Sequence, residues 1–92
     1  MLKEVRSNKF DRDVIKQIKR GKDIEKLIAV TDLIAKEKWG IAERKKYRDH
    51  PLLGNWNGFR ECHIEGDWLL IYQINGNEVF FARTGTHADL FD

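Results

Sequence analysis

Apolar positions in the first part of the chain recur every three or four residues, which is the spacing of one face of an α-helix. Two segments share this pattern, and they predict helices over residues 8–21 and 23–40. Ser7 and Asp23 are the expected N-caps, and Gly21 is the expected stop between the two helices. The apolar stripes are Phe10, Val14, Ile15 and Ile18 in the first helix, and Ile24, Leu27, Ile28, Thr31 and Ala35 in the second. A helical hairpin is therefore predicted.

The pattern changes in the second half, where short apolar or alternating runs are typical of β-strands. These runs span residues 58–64, 68–74 and 77–84. Asn75 and Gly76 predict a two-residue hairpin turn between the last two runs, because such turns require positive φ angles. Residues 65–67 predict a second tight turn, and the weak alternation of residues 2–6 predicts a short additional strand.

The order of these elements predicts one α+β domain over residues 1–92, with the arrangement β-α-α-β-β-β. The helical hairpin is expected to pack on one face of a small antiparallel sheet, which has four strands if residues 2–6 join it. A two-residue loop at Asn75 and Gly76 pairs Arg83 with Trp68 and Thr84 with Asp67. Residues 40–57 mix charges with proline and glycine, and they are expected to form a long connection of the kind that often carries function.

Composition supports a single globular domain and gives one indication about partners. The 92 residues are 41% hydrophobic and 35% charged, and the net charge is only +2. A mild net charge does not identify a nucleic-acid binder by itself, but the basic residues fall in two groups. The groups are Lys16, Lys19, Arg20 and Lys22, and Arg44, Lys45, Lys46 and Arg48. They are either two solvated faces or contacts for a polyanionic partner.

Cys62 is the only cysteine, which excludes an internal disulfide and any metal site built from paired cysteines. This usage fits a reducing compartment. The first residues lack the apolar core of a signal peptide, and no run approaches the roughly 20 apolar residues of a membrane span. We therefore expect a cytoplasmic protein that does not contact a membrane.

All three histidines, His50, His63 and His87, lie in polar, turn-rich stretches. The predicted turns bring His63, Asp67, Arg83 and His87 together at one edge of the sheet. Histidine exchanges protons near neutral pH, so this set suits metal-independent cleavage of RNA. In that reaction a base activates the ribose 2′-hydroxyl, an acid protonates the leaving 5′-oxygen, and a cation stabilises the charge on phosphate.

Other interpretations of the same residues remain open. A divalent-metal site would use the three histidines together with Asp67, although their spacing matches no known metal motif. Asp67 is also favoured as a plain turn residue, and Arg83 could be its structural partner. The three tryptophans are expected to pack in the core or at its rim. Phe91 either anchors the C-terminal segment in the core or lies beside His87 and stacks on a nucleobase.

Three motifs together resemble the YafQ-type toxins, which belong to the RelE/ParE superfamily of bacterial toxin–antitoxin modules. The motifs are YRDHPLLGNWNGFRECH at residues 47–63, DWLLIY at residues 67–72 and RTGTHADLF at residues 83–91. The chain length, the helical hairpin and the meander agree with that family as well. The resemblance therefore covers nearly the whole chain.

The resemblance implies a ribosome-dependent mRNA endoribonuclease that cuts A-site codons, needs no cofactor and is neutralised by a cognate antitoxin. The implied catalytic residues are His50, His63, Asp67 and His87, and the implied substrate contacts are Arg83 and Phe91. We expect His87 to be the general acid and either Asp67 or His50 to be the general base. His63 would orient a partner or bind phosphate. The residues expected to dock on ribosomal RNA are Lys16, Lys19, Arg20, Arg44, Lys45 and Lys46.

Two rival functions fit the same fold. A gyrase-poisoning toxin of the ParE type needs no acid–base pair, so the clustered histidines argue against it. A non-catalytic module that binds RNA or protein would use the histidines only structurally. Replacing His87 by alanine separates the last case from a nuclease, because a binding module would keep its activity.

Overall fold

The computed structural model describes all 92 residues and contains five strands, four α-helices and one 3₁₀ turn. In chain order the elements are β1 (Lys3–Arg6), α1 (Asn8–Lys19), α2 (Ile24–Ala35), α3 (Ile41–Lys46), β2 (His50–Pro51), the 3₁₀ turn (Gly54–Trp56), β3 (Arg60–Glu65), β4 (Trp68–Asn75), β5 (Glu78–Gly85) and α4 (His87–Phe91). This is the predicted α+β fold with its helical hairpin and its meander. No helix has both the length and the apolar character needed to cross a membrane.

The predicted helix caps are confirmed. The Ser7 hydroxyl accepts a hydrogen bond from the N–H of Phe10 at 2.9 Å and starts α1. The Asp23 carboxylate accepts one from the N–H of Glu25 at 3.1 Å and starts α2. Gly21 lies between the helices with φ +82°, a conformation in which glycine meets no steric penalty.

The sheet has five strands in the order β1-β5-β4-β3-β2. Strands β3, β4 and β5 pair antiparallel, as predicted, and the unpredicted β2 pairs antiparallel with β3. Strand β1 runs parallel to β5. The predicted purely antiparallel sheet of four strands is therefore wrong in two respects, since β2 adds a fifth strand and β1 makes the sheet mixed. The alternation of apolar residues predicts which face a strand buries, but it carries no information about the direction of its partner.

The hairpin between β4 and β5 turns one residue later than predicted. Asn75 pairs with Glu78, so the turn consists of Gly76 and Asn77. Gly76 has φ +61°, whereas Asn77 stays outside the positive region. This is the kind of turn that places glycine at its first central position.

The predicted partners of Arg83 and Thr84 are also wrong. Arg83 lies opposite Ile71 and Thr84 lies opposite Leu70, rather than opposite Trp68 and Asp67. The later turn accounts for two residues of this shift, and a β-bulge beside the step from Ile71 to Tyr72 accounts for a third. Bulges insert a residue without changing the hydrophobic pattern, so the sequence did not signal this one.

The core lies on both faces of β4, whose first residues form an uninterrupted apolar run. Leu70 and Tyr72 belong to the main core, which α1 and α2 cover. Leu69 and Ile71 point to the opposite face, where they form a smaller cluster with Leu90 of α4. The tryptophans pack as expected, because Trp39 and Trp68 are buried in the main core and Trp56 contacts the smaller cluster. The helix α4 is thus attached to the face that α1 and α2 leave open.

The connection predicted over residues 40–57 is more regular than expected, since it contains α3, β2 and the 3₁₀ turn. Six helical residues and two strand residues are too few to produce a readable periodicity. The chain returns to the sheet through a hydrogen bond of 2.7 Å from the N–H of His63 to the carbonyl of Tyr47. This segment therefore places His50 at the edge of the sheet.

Candidate active site

The three histidines come together from three different elements. His50 lies on the edge strand β2, His63 on β3 and His87 at the start of α4. The centroid of the His63 ring is 6.3 Å from that of His50 and 6.1 Å from that of His87. His63 is therefore the middle ring of a continuous row.

A buried glutamate that sequence reasoning missed faces all three rings. Only 4% of the Glu61 side chain is exposed, and its Oε1 lies 3.7 Å from Nε2 of both His63 and His87. Its Oε2 lies 3.8 Å from Nε2 of His50. Oε1 has no hydrogen-bond partner, and a buried carboxylate oxygen without one is unfavourable unless positive charge balances it. The cluster is thus arranged to hold a proton or another cation between the carboxylate and the imidazoles.

One sequence signal could have identified Glu61. It stands two residues before His63 on the same strand, and residues with that spacing share one face of a sheet. Pairing of β3 with β2 then places His50 directly opposite Glu61. The sequence could not predict that Glu61 is buried in this cluster, because the two residues of β2 give no periodic signal.

Asp67 fixes the orientation of the His87 ring. Its Oδ1 accepts a hydrogen bond of 2.9 Å from the backbone N–H of His87 and one of 2.5 Å from Nδ1 of the same residue. The backbone hydrogen bond, followed by the one from the ring, lowers the pKa of Asp67. A carboxylate only accepts, so Nδ1 carries the proton and Nε2 is left facing Glu61.

The other two rings are oriented in the same way. Nδ1 of His63 lies 3.2 Å from the carbonyl oxygen of Gly66, and Nδ1 of His50 lies 3.1 Å from that of Pro51. A carbonyl oxygen at Nδ1 selects the tautomer with the proton on that nitrogen. All three Nε2 atoms are then available to accept a proton or bind a metal on the side of the ring that faces Glu61.

Three residues at one end of the row could hold a divalent metal. The ligand atoms of His50, Glu61 and His63 all lie within 4.8 Å of one another. Two imidazole nitrogens and a carboxylate suit Zn²⁺ or Cu²⁺. The metal set considered from sequence included Asp67 instead, but Asp67 contacts the opposite nitrogen of the His87 ring.

Arg83 does not contact Asp67, which the sequence suggested as its structural partner. Its Nε and Nη2 donate hydrogen bonds of 2.7 and 3.1 Å to the carboxylate of Asp13 on α1, rather than to Asp67. These bonds raise the pKa of Arg83. Asp13 also accepts the N–H of Thr84 at 3.2 Å. Nη1 makes no hydrogen bond within the chain, so one edge of the guanidinium stays available.

Phe91 lies beside His87, with 6.0 Å between the ring centroids. Its side chain is exposed, with a residue exposure of 42%. The residue that anchors α4 in the apolar cluster is Leu90, which is buried. Of the two alternatives for Phe91, the position next to His87 is the one observed.

The basic residues divide into two kinds. Lys16 and Arg20 bind the carboxylate of Asp89 on α4. Lys19 is exposed and makes no ion pair. Arg44, Lys45 and Lys46 form the last turn of α3, where positive charge also favours the carbonyl end of the helix.

A buried network on Asp49 holds the segment that carries His50. The carboxylate is completely buried and accepts hydrogen bonds from Nε of Arg60 at 2.6 Å and from Nε1 of Trp39 at 3.1 Å. The hydroxyl of Tyr72 also donates to it. Burial and the neighbouring carboxylate raise the pKa of Tyr72, which keeps the phenol protonated as a donor.

Acid is expected to weaken the protein through Asp89. The hydrogen bond from Arg20 lowers the pKa of this carboxyl far below its usual value. The stabilisation is therefore fully present above the unfolded pKa of about 3.9 and is lost as the pH falls towards the lower folded pKa. Asp89→Asn should flatten the pH dependence of the unfolding free energy between about pH 4 and pH 2. Urea titrations of both proteins at several pH values measure this, with Asp92→Asn as the control. Parallel curves for wild type and Asp89→Asn would contradict it.

Comparison with known sequences agrees with the motifs. A model of the family described as "Bacterial toxin of type II toxin-antitoxin system, YafQ" matches residues 2–92. The mRNA interferase toxin YafQ of Escherichia coli strain K12 is 41% identical over 85 residues, which cover 92% of this chain and 90% of that protein.

Comparison with solved structures agrees with the fold. YafQ in the DinJ–YafQ complex of Escherichia coli superposes with a TM-score of 0.90 at 38% identity, and the match covers 100% of both chains. A metal-bound toxin from Helicobacter pylori gives a TM-score of 0.87 at 43% identity, covering 99% of this chain and 100% of that one. The resemblance indicated by the sequence motifs is confirmed, and the chain belongs to the YafQ family of toxins of bacterial type II toxin–antitoxin systems.

Proposed function

We propose that this protein is a ribosome-dependent endoribonuclease that cleaves mRNA codons in the ribosomal A site and so inhibits translation. Relatives with 41% identity bear the name mRNA interferase. The observation that carries the proposal is the row of three imidazoles around the buried Glu61, with His87 held by Asp67. Such a row supplies both proton acceptors and proton donors near neutral pH.

The reaction uses the RNA's own 2′-hydroxyl as the nucleophile. A base takes the proton of that hydroxyl, the 2′-oxygen attacks the adjacent phosphorus, and a 2′,3′-cyclic phosphate forms. The bond to the 5′-oxygen of the next nucleotide breaks, and that oxygen leaves with a proton from the general acid. His87 is the proposed acid, because Asp67 holds its Nδ1–H and the exposed ring can take up a second proton at Nε2 and donate it to the leaving oxygen.

Of the two residues considered as general base, His50 is the one we propose. Asp67 accepts two hydrogen bonds from His87, and its lowered pKa makes it a weak base. The His50 ring is half-exposed and its Nε2 faces the cluster. His63 is less exposed and lies between the other rings, a position suited to orienting them or contacting the phosphate.

Phe91 and Arg83 are the proposed substrate contacts. The exposed ring of Phe91 next to His87 is suited to stacking on a base of the codon. The free Nη1 of Arg83 can donate to a phosphate oxygen. Lys19, Arg44, Lys45 and Lys46 are the proposed contacts to ribosomal RNA, since phosphate contacts dominate the affinity of such complexes.

We further propose a cognate antitoxin as the partner that neutralises the protein in the cytoplasm. YafQ of Escherichia coli is seen in complex with the antitoxin DinJ. The basic residues of α3 would complement an acidic antitoxin segment, as they would complement RNA. No membrane partner is proposed.

The test is induced expression in bacteria, followed by mapping of new mRNA 5′ ends. Wild type is expected to produce ends in phase with the reading frame. Asp67→Asn should reduce cleavage about 100-fold or more, because a neutral amide no longer stabilises the positively charged His87 ring that donates the proton. Asp92→Asn removes a carboxylate from the same terminal region and should behave as wild type.

Three outcomes would count against the proposal. Growth arrest without new 5′ ends would favour the gyrase-poisoning or binding alternatives. Cleavage by Asp67→Asn at the wild-type rate, at equal expression, would remove that residue from the mechanism. Loss of cleavage on adding a chelator selective for zinc and copper would replace acid–base catalysis with a metal-dependent reaction.

A further inference from the structure

The helix that carries His87 and Phe91 is tied to α1 by its own carboxylate. Asp89 accepts hydrogen bonds of 2.6 and 2.9 Å from the two terminal nitrogens of Arg20. Nζ of Lys16 donates to it at 3.3 Å. Only 11% of the Asp89 side chain is exposed, so this bidentate contact is better shielded than an ordinary surface ion pair.

The same carboxylate organises the start of α4. It accepts the N–H of Thr86 at 2.9 Å, while the Thr86 hydroxyl accepts the N–H of Asp89 at 3.1 Å. The preceding backbone is fitted closely around it, since a Cβ at Gly85 would lie 2.7 Å from Oδ2 of Asp89. The strand end, the helix cap and α1 therefore all meet at this one group.

A helix of five residues cannot hold its own shape in water, because helix nucleation is unfavourable. The orientation of α4 must come from its attachments, which are the buried Leu90, the contact of Asp67 with His87, and Asp89 on α1. Of these, only Asp89 connects the helix to the opposite side of the domain.

We infer that Asp89, Arg20 and Lys16 form an anchor that positions His87 and Phe91 for RNA cleavage. The inference rests on the proposed function. Displacement of a catalytic group by about 1 Å can lower a rate about 100-fold, so the anchor affects the reaction without touching RNA. From their charge alone, Lys16 and Arg20 were predicted to bind ribosomal RNA. In the anchor they are instead positioning residues.

The anchor and the RNA-binding role make opposite predictions for charge changes. Arg20→Ala removes a positive charge, whereas Asp89→Asn removes a negative one. If these residues bound RNA, the first change would weaken affinity for the ribosome and the second would strengthen it. If they form an anchor, both changes misplace α4 and both lower kcat.

The experiment compares steady-state cleavage of ribosome-bound mRNA by purified variants that circular dichroism shows to be folded. Arg20→Ala and Asp89→Asn should each lower kcat about 10- to 100-fold with little change in KM. The double variant should be no slower than the slower single variant, because both changes break one contact. Arg20→Lys should recover part of the rate. Arg12→Ala is the matched control, since it removes the same charge from an exposed position of α1 without a contact to Asp89.

A raised KM in Arg20→Ala with unchanged kcat, together with a lowered KM in Asp89→Asn, would overturn the anchor. Rate losses that multiply in the double variant would overturn it as well.

A second readout does not depend on catalysis. Amide hydrogen exchange at residues 87–91 should rise at least about tenfold in Arg20→Ala, with exchange in α2 unchanged. Unchanged exchange there would refute the anchor, whereas absence of cleavage by wild type would refute only the proposed function.

Discussion

Replacing His87 by alanine is expected to lower the rate of mRNA cleavage by about 100- to 10 000-fold while the protein stays folded. The leaving 5′-oxygen would lose its proton donor, and no other side chain in the row combines an exposed ring with a carboxylate on Nδ1. More than half of the His87 side chain is exposed, so its removal costs little packing. Cleavage of ribosome-bound mRNA by purified protein measures the effect.

Two controls make the His87 result specific. The melting temperature should stay close to that of wild type, which separates loss of chemistry from loss of structure. Imidazole added to the reaction should restore part of the rate by filling the vacated space with a proton donor. A His87→Ala variant that cleaves within about threefold of wild type would exclude the residue as general acid, because a general acid contributes at least about 100-fold.

Replacing Asp49 by alanine should give the largest loss of stability, about 3 to 5 kcal/mol. The change would leave Arg60 and the buried donors of Trp39 and Tyr72 without their shared acceptor. Breaking a buried charge pair in this way is more costly than replacing the whole pair by apolar residues. Urea unfolding followed by circular dichroism measures the free-energy difference.

A matched carboxylate on the surface provides the control for Asp49. Asp32 pairs with Lys36 across one turn of α2, and both side chains are exposed. Asp32→Ala should therefore cost less than about 0.5 kcal/mol. A loss below about 1 kcal/mol for Asp49→Ala would mean that the network contributes no more than a single ordinary hydrogen bond.

The sequence predicted the meeting of Asp67 and His87 although the register that it assumed was wrong by three residues. Both residues lie just beyond the ends of paired strands, so any plausible register brings them to the same edge. Arg83 lies within β5, where one inserted residue changes its surroundings completely. Its contact with Asp13 on α1 accompanies the bulge, which was not visible in the apolar pattern.

The roles of buried and paired charges were the least predictable part of the site. Glu61 faces His50 because β2 pairs with β3 and places the two residues opposite each other, and two residues of strand leave no periodic signal. Lys16 and Arg20 belong to a basic group of the kind that is usually solvated. Their partner Asp89 lies 69 positions from Arg20, and pairing over that distance depends on the completed fold.

Strand β1 pairs in parallel with β5 and places Lys3 opposite Glu78. This pairing of distant parts of the chain affects the order of folding. The hairpins of β3, β4 and β5 close short loops and can form early, whereas β1 and α1 must wait for contacts that span most of the chain. The ion pairs of Arg20 and Lys16 with Asp89 are among these late contacts. The meander that carries His63 and Asp67 therefore closes shorter loops than the attachment of α4 to α1 does.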